Sequence, residues 1–257
     1  MTARSAPPAT ALASFDAARA LRADLRFTDW LREACGPAWD AMLDHRFTRE
    51  IAADALPDGV FARYLRYEHG FVATAVKVFA HALIQAPTTA DRRHVAEILE
   101  ALTGEQERYF AETFARLGLP AEPASDAAPP PAAALALGDG ALAMAAHATF
   151  EEILSMMLAA EWMYLTWCAR AHDAGPRHPE AARWIDLHVG GAFEAGVTWT
   201  RQRLDTLGPA LDPARQAACA ARFRRLTELE IAFHDAPYER AEATDNAAAN
   251  GSPLSRG

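Results

Sequence analysis

The sequence predicts an all-α protein built as a single-domain helical bundle. Apolar residues recur at three- and four-residue spacing over long segments, which is typical of amphipathic helices. No segment sustains the alternation of apolar and polar residues that marks a strand. The chain has 257 residues, 51% of them apolar, which is enough for one large core or at most two. Because the residue composition and the helical pattern do not change part-way along the chain, we expect one domain.

The first half of the chain is predicted to form short helices and then two long ones. Gly36-Pro37 should divide an early helix, and Pro57 and Pro87 should separate the longer helices, because proline cannot continue the helical hydrogen bonds. We predict a disordered N-terminal tail over 1–13, followed by helices over 15–25, 28–43, 48–55, 58–85 and 89–117.

The second half is predicted to contain the longest apolar helix. Residues 118–140 are rich in Pro and Ala, and we interpret them as a loop inside the domain. Because 149–170 contains neither Pro nor Gly, it should form the middle of one long helix. We predict helices over 141–174, 179–207 and 213–238, so that the helical domain covers 14–239. A disordered C-terminal tail over 240–257 completes the assignment.

Composition and charge exclude several classes of function. The net charge is −9 and no run of Lys and Arg occurs, so we expect neither nucleic acid nor a membrane as partner. No apolar run is long enough to span a bilayer, and the N-terminus is not a convincing signal peptide. Three widely spaced cysteines do not suggest a disulfide framework, so we expect a cytoplasmic protein. Nucleotide-binding and common zinc-hydrolase motifs are absent.

Three acidic residues stand beside aromatic residues on three of the long predicted helices. Helical spacing puts each acid on the same face as its aromatic neighbours. The sets are Tyr64, Glu68 and Phe71; Glu161 and Tyr164; Glu230 and Phe233. Each acid also fits an exposed position at the edge of a core helix. If the helices converge, the acids lie in an aromatic-walled pocket that suits a flat heteroaromatic ligand and acid–base chemistry.

Four segments, taken in order, resemble the TenA family, the thiaminase II type of heme-oxygenase-like helical proteins. The segments are LPDGVFARYLRYEHGF (56–71), TFEEILSMMLAAEWMYLTW (149–167), WIDLHVGGAF (184–193) and LTELEIAFHDAPYE (226–239). The resemblance covers about 27–239. It implies a single all-α domain that forms a homo-oligomer, a dimer or tetramer, and hydrolyses thiamin or its amino-pyrimidine breakdown products. We expect no metal and no cofactor, because the sequence offers no complete set of metal ligands.

The resemblance also implies roles for individual residues. Glu230 falls where the family has its catalytic glutamate, and Glu68 where an acid holds the pyrimidine amine. Tyr164 and Phe233 match pocket aromatics, and Phe71 falls where an aromatic residue lines the site. We add Tyr64 to the substrate-binding residues because it shares the helix face of Glu68.

Two positions depart from the family pattern. Ala160 occupies the position of the nucleophilic cysteine, and His188 stands where a tyrosine is usual. One branch of the family lacks the cysteine and uses a glutamate near that point, and Glu161 makes this chain resemble that branch. Cys168, two turns further along the helix, is a less favoured substitute for the missing thiol.

The sequence therefore predicts a hydrolase that cleaves a C–N bond of an aminomethyl- or formylaminomethyl-pyrimidine. Glu230 would act as the acid, Glu161 as the base, and Tyr164 and His188 would orient groups by hydrogen bonds. Two alternatives remain open. One is a di-iron oxidase, whose ligands would come from His69, His147, Glu151, Glu161, His188, Glu230 and His234. The other is a binding or regulatory protein that performs no chemistry.

Overall fold

A computed structural model describes residues 14–121 and 129–250, with side chains up to residue 239. Every regular element in these ranges is helical, so the predicted all-α class is confirmed. The predicted tail at 1–13 lies outside the described residues.

Four short helices open the chain. They are α1 (Phe15–Leu21), α2 (Phe27–Ala34), α3 (Pro37–Leu43) and α4 (Arg46–Ala52). The predicted division at Gly36-Pro37 is confirmed, since Gly36 adopts φ 62° and Pro37 begins α3. Helix α4 begins two residues before the predicted start because the imidazole of His45 caps it, with Nδ1 accepting the Phe47 N–H at 3.1 Å.

Two longer helical segments follow. Helix α5 (Asp58–Gln85) has the predicted bounds. The predicted helix over 89–117 consists of α6 (Thr89–Ala101), a π-helical turn (Leu102–Gln106) and α7 (Glu107–Arg116). The hydroxyl of Thr88 accepts the Asp91 N–H at 3.1 Å and so fixes the start of α6.

The predicted loop over 118–140 is wrong in its second half. Helix α8 (Ala132–Ala145) occupies that part, buries Leu137 and Ala141, and packs between α5 and the last helix. Glycine normally weakens a helix, but a Cβ at Gly140 would lie 2.7 Å from Cδ1 of Leu229. The small residues therefore permit close packing, and that tertiary contact keeps the segment helical.

The remaining helices form the centre of the bundle. They are α9 (Phe150–Ala174), α10 (Pro179–Val189), α11 (Gly191–Leu207) and α12 (Pro213–Asn250), with a 3₁₀ turn (Gly208–Ala210) before α12. Helix α9 starts nine residues later than predicted, because Thr149 and Glu152 form a capping box there. The single helix predicted over 179–207 is divided by the extended backbone of Gly190.

Helix α9 is the central element, since most of its residues are buried and it packs against α12, α10, α11, α5 and α4. The predicted C-terminal tail begins too early, because α12 continues to Asn250. Residues 251–257 lie outside the described part. Within the described ranges, no helix has the length and apolar content needed to cross a bilayer.

The 3₁₀ turn before α12 provides a test of core packing. A Cβ on Gly208 would overlap the ring of Phe27, which is completely buried against Phe15 and Trp30. We expect Gly208→Ala to lower the free energy of unfolding by about 1–3 kcal/mol in urea denaturation, because an overpacked core must shift.

Gly196→Ala is the matched control. A Cβ at this position within α11 meets nothing within 4 Å, so the substitution should raise stability by roughly 0.5–1 kcal/mol through helix propensity. Equal effects of the two substitutions would contradict the packing argument.

Candidate active site

Two tyrosines and a glutamate form a buried hydrogen-bonded group between α5 and α9. The hydroxyls of Tyr64 and Tyr164 lie 2.7 Å apart, and Tyr164 donates to Oε2 of Glu68 at 3.2 Å. All three side chains are buried. The helix faces that carry Glu68 and Tyr164 therefore meet, as predicted, although 96 residues separate the two side chains in the chain.

Glu68 is an acid that titrates near neutral pH. Burial raises the pKa of its carboxyl to about 7, because a charge is poorly solvated there. Hydrogen bonds from Tyr164 and Tyr64 act in the opposite direction, since they stabilise the carboxylate. Both protonation states of Glu68 are therefore accessible around pH 7.

Glu230 of α12 is completely buried, and neither of its carboxyl oxygens has a hydrogen-bond partner in the described part of the protein. Burial raises the pKa of Glu230 well above its usual value, and the nearby charge of Glu68 raises it further. Two adjacent buried carboxylates repel each other, so Glu230 holds its proton while Glu68 ionises. Nδ1 of His234 lies 3.6 Å from Oε2 of Glu230, but it carries the proton that it donates to the Glu230 carbonyl. The Glu230 proton therefore has no hydrogen-bond acceptor among the described residues.

His234 completes the group, although the sequence interpretation gave it no part in the hydrolase site. Its Nδ1–H donates to the backbone carbonyl of Glu230 at 2.8 Å, which leaves Nε2 as an acceptor 3.5 Å from the Tyr164 hydroxyl. Burial and the neighbouring His45 lower the pKa of His234 to about 3, so its ring is uncharged. The signal was present in the sequence, because His234 lies four residues after Glu230 on the same helix face.

Aromatic rings surround the buried acids. The centroid of Phe233 lies 6.4 Å from that of Phe71 and 6.0 Å from that of Tyr64, as the predicted pocket requires. Phe47 of α4 lies 4.4 Å from Tyr64 and 5.1 Å from His234. Nothing in the sequence indicated Phe47, since its place in the wall depends on how α4 docks.

His188 extends the site towards α10 and α11. Its Nδ1–H donates to the carbonyl of Trp184 at 2.8 Å, and its ring stacks on Tyr164 at 5.0 Å. Burial lowers the pKa of His188 to about 4, so the neutral ring offers Nε2 as an acceptor. Phe193 packs edge-on against the same ring at 4.9 Å.

Glu161 does not join the other two acids, and the predicted convergence of all three is wrong in this respect. Its carboxyl is half-buried and lines a groove of about 830 Å³ between the α6–α7 segment and the α10–α11 junction. Burial raises the pKa of Glu161 to about 8, and no neighbouring charge contributes. Phe193 lines the same groove, so the Phe193–His188–Tyr164 ring contacts lead from the groove to the buried group.

The thiol alternative gains no support from the geometry. Ala160 is buried and carries no nucleophile. Cys168 is completely buried, and burial raises the pKa of its thiol well above the usual value, with the charge of Glu68 adding to the effect. At neutral pH the sulfur is therefore a thiol and a weak nucleophile.

The residues proposed as di-iron ligands do not all converge. Glu151 pairs with Arg215 at 2.9 Å, and His69 hydrogen-bonds to Glu107 at 3.0 Å, so both are engaged away from Glu230. Among the residues that the structure describes, no group of three His, Cys, Asp or Glu side chains is arranged to hold a metal ion.

Comparison with known proteins identifies the family. The profile of the TENA/THI-4/PQQC family matches residues 32–240, which is most of the chain. The chain belongs to this family. The predicted resemblance to TenA proteins is therefore confirmed at the level of the family.

Several solved structures are similar to this chain in fold. A TenA homologue from P. horikoshii OT3 is 18% identical, covers 84% of this chain and 99% of its own, and has a TM-score of 0.75. A protein of Silicibacter sp. TM1040 described as a TenA family transcription regulator is 22% identical over 82% and 96%, with a TM-score of 0.74. A domain from Shewanella denitrificans OS217 described as heme oxygenase-like is 14% identical over 87% and 97%, with a TM-score of 0.68. These similarities establish the heme-oxygenase-like fold.

The buried acids make stability depend on pH in a defined direction. The pKa of Glu161 is about 8 and that of Glu68 about 7, against 4.5 as their usual value, so the folded state keeps protons that the unfolded chain releases. Their contribution is complete below about pH 4.5 and is lost as the pH rises to 8. Urea unfolding at pH 5, 6.5 and 8 should show stability falling, by up to about 1.4 kcal/mol per pH unit for each group.

Glu161→Gln should remove part of this slope, because the amide does not titrate, while the contribution of Glu68 remains. Glu194→Gln, at an exposed position on α11, is the control and should leave the slope unchanged. A slope that is the same in Glu161→Gln and in the unsubstituted protein would show that the Glu161 pKa is not raised.

Proposed function

We propose that the protein hydrolyses a C–N bond of a thiamin-derived amino-pyrimidine and so supports salvage of the pyrimidine. The observation that carries the proposal is the enclosed pair of acids, in which Glu68 ionises and Glu230 keeps an unshared proton. Membership of a family that includes thiaminase-like hydrolases supports the reaction class.

Glu68 is the group that binds the ring. A carboxylate accepts hydrogen bonds from an exocyclic or ring N–H, and the aromatic residues Phe71 and Phe233 flank it with faces on which a flat ring can stack. The hydroxyl of Tyr164 donates to the carboxylate and is itself hydrogen-bonded to the hydroxyl of Tyr64. This arrangement favours an amino-substituted heteroaromatic compound.

Glu230 is the acid that assists the leaving nitrogen. An amine is a poor leaving group until it is protonated, and a carboxyl kept neutral by burial can supply that proton near pH 7. The backbone hydrogen bond of His234 fixes the turn of α12 that carries Glu230.

Glu161 is the base that activates water, and the Phe193–His188–Tyr164 contacts connect its groove to the buried acids that bind the substrate. It opens on the groove, from which water reaches its carboxyl, and a pKa of about 8 makes its ionised form a strong base for a carboxylate. Water loses a proton to Glu161 and its oxygen forms a bond to the exocyclic carbon. The C–N bond breaks, and the nitrogen leaves as an amine with the proton of Glu230. Tyr164 and His188 orient the reacting groups.

Ala160 occupies the position of the family's nucleophilic cysteine, so the proposed reaction forms no covalent intermediate. We therefore assign the chain to the branch of the family that lacks this cysteine. We further propose that the protein is a cytoplasmic homo-oligomer, a dimer or tetramer. Its three cysteines are free, which fits a reducing compartment.

Glu230→Gln tests the acid. The amide keeps the size of the side chain but cannot transfer a proton, so the turnover number for the aminomethyl-pyrimidine should fall by about 10² to 10⁴-fold. Ligand affinity, measured by calorimetry, should stay within roughly tenfold, which is about 1.4 kcal/mol.

Glu228→Gln, an exposed position on the same helix, is the control and should retain full activity. Normal turnover by Glu230→Gln would assign the acid role elsewhere, with Glu161 as the first candidate. If Glu230→Gln failed to fold, Glu230 would be a structural residue.

A comparison of substrates tests whether the reaction proceeds without a thiol nucleophile. Thiamin should be turned over more slowly than the aminomethyl-pyrimidine, because its thiazolium is normally displaced by a nucleophile that Ala160 does not provide. Turnover assays with both compounds, together with the formylaminomethyl-pyrimidine, measure the preference. Faster turnover of thiamin, or a covalent adduct on Cys168 detected by mass spectrometry, would refute the mechanism.

A further inference from the structure

An arginine-rich cleft lies on the side of α9 that faces away from the buried acids. Trp162 is two residues before Tyr164, which turns its side chain to the opposite side of the helix. The cleft has a volume of about 820 Å³ and is formed by α2, α3, α9 and α11. Four arginines line it: Arg26, Arg32, Arg170 and Arg201. Four positive charges therefore lie in one cleft of a chain whose net charge is −9.

The acidic residues of the cleft leave part of this charge uncompensated. Asp29 contacts both Arg26, at 3.3 Å, and Arg201, at 3.2 Å. Glu33 is held by a bidentate pair with Arg22 at 2.7 and 2.6 Å, and Asp40 is exposed.

Two of the four arginines make no ion pair within the described part of the protein. Neither Arg32 nor Arg170 forms an ion pair or hydrogen bond with a carboxylate among the described residues. Two guanidinium groups are therefore free to bind an external anion.

Arg201 is held in a fixed orientation by aromatic rings. Its guanidinium carbon lies 3.9 Å from the centroid of Trp162, and Trp39 packs against that ring from 5.2 Å. The Nε of Arg201 is buried and has no hydrogen-bond acceptor in the described part of the protein. Arg32 lies over the same ring at 5.2 Å, so two guanidinium groups are brought to one side chain.

The guanidinium groups of the cleft also repel one another. Burial lowers the pKa of Arg201, and repulsion from Arg26 and Arg32 lowers it further, while Asp29 acts against both. A bound anion would relieve this repulsion and would supply the missing acceptors.

We propose that the cleft binds the phosphate group of a small phosphorylated molecule. The planar, permanently charged arginine side chain matches the oxygens of phosphate in bidentate hydrogen bonds, and several arginines together favour a dianion. The volume of the cleft greatly exceeds that of phosphate alone, so a phosphate monoester fits better than the free ion. This site is separate from the proposed hydrolytic site, because Trp162 and Tyr164 lie on opposite sides of α9.

Calorimetric titration of the full-length protein tests the site with two probes, inorganic phosphate and phenyl phosphate. We expect phenyl phosphate to bind more tightly than inorganic phosphate, and binding of both to weaken as sodium chloride is raised. The double variant R32Q/R170Q should lose at least tenfold in affinity for both probes, because it removes the two unpaired charges. The single variant R170Q, at an exposed position, should lose affinity in the same direction without endangering the fold.

R93Q, an exposed arginine on α6 outside the cleft, is the matched control and should bind as the unsubstituted protein does. Equal affinity for both probes, lost in R32Q/R170Q, would support the site and identify free phosphate as the ligand. No binding, or binding that is unchanged in R32Q/R170Q, would overturn the proposal. A change in sedimentation mass in R32Q/R170Q, without phosphate binding to the unsubstituted protein, would show instead that the arginines contact a second copy of the chain.

Discussion

The repulsion between two buried carboxyl groups, those of Glu68 and Glu230, is the constraint on which the site depends. An apolar interior disfavours either charge, and both charges together are more costly still. The hydroxyls of Tyr64 and Tyr164 resolve the conflict, because they stabilise the charge on Glu68 and make no hydrogen bond to Glu230. One acid can therefore bind a donor while the other can give a proton.

This division of roles requires rigid helices. The acids come from α5 and α12, and Tyr164, which hydrogen-bonds to Glu68, comes from α9, so the three helices must hold their relative positions. Helix α9 contributes to two surfaces at once. Tyr164 faces the buried acids, and Trp162 carries the arginines of the cleft on the other side. A change in the packing of α9 would therefore affect both surfaces.

Much of the fold could be predicted from the sequence. The bounds of α5 and the division at Gly36-Pro37 follow from local rules about proline, glycine and apolar spacing. Helix α8 could not be predicted in this way. Its glycines and flanking prolines resemble a loop, and it is stabilised by its close fit against Leu229, about 90 residues away. The groove position of Glu161 likewise depends on how α10 and α11 dock against α9.

The sequence by itself determined the helical class, the family resemblance and the faces on which Glu68, Tyr164 and Glu230 lie. Helical periodicity is local, so the residues of one face can be identified from their spacing alone. The tertiary structure decided which acids meet, which one keeps its proton and which histidine lies beside them. Those outcomes depend on burial and on charges from distant segments, and neither quantity is encoded in the spacing of any one helix.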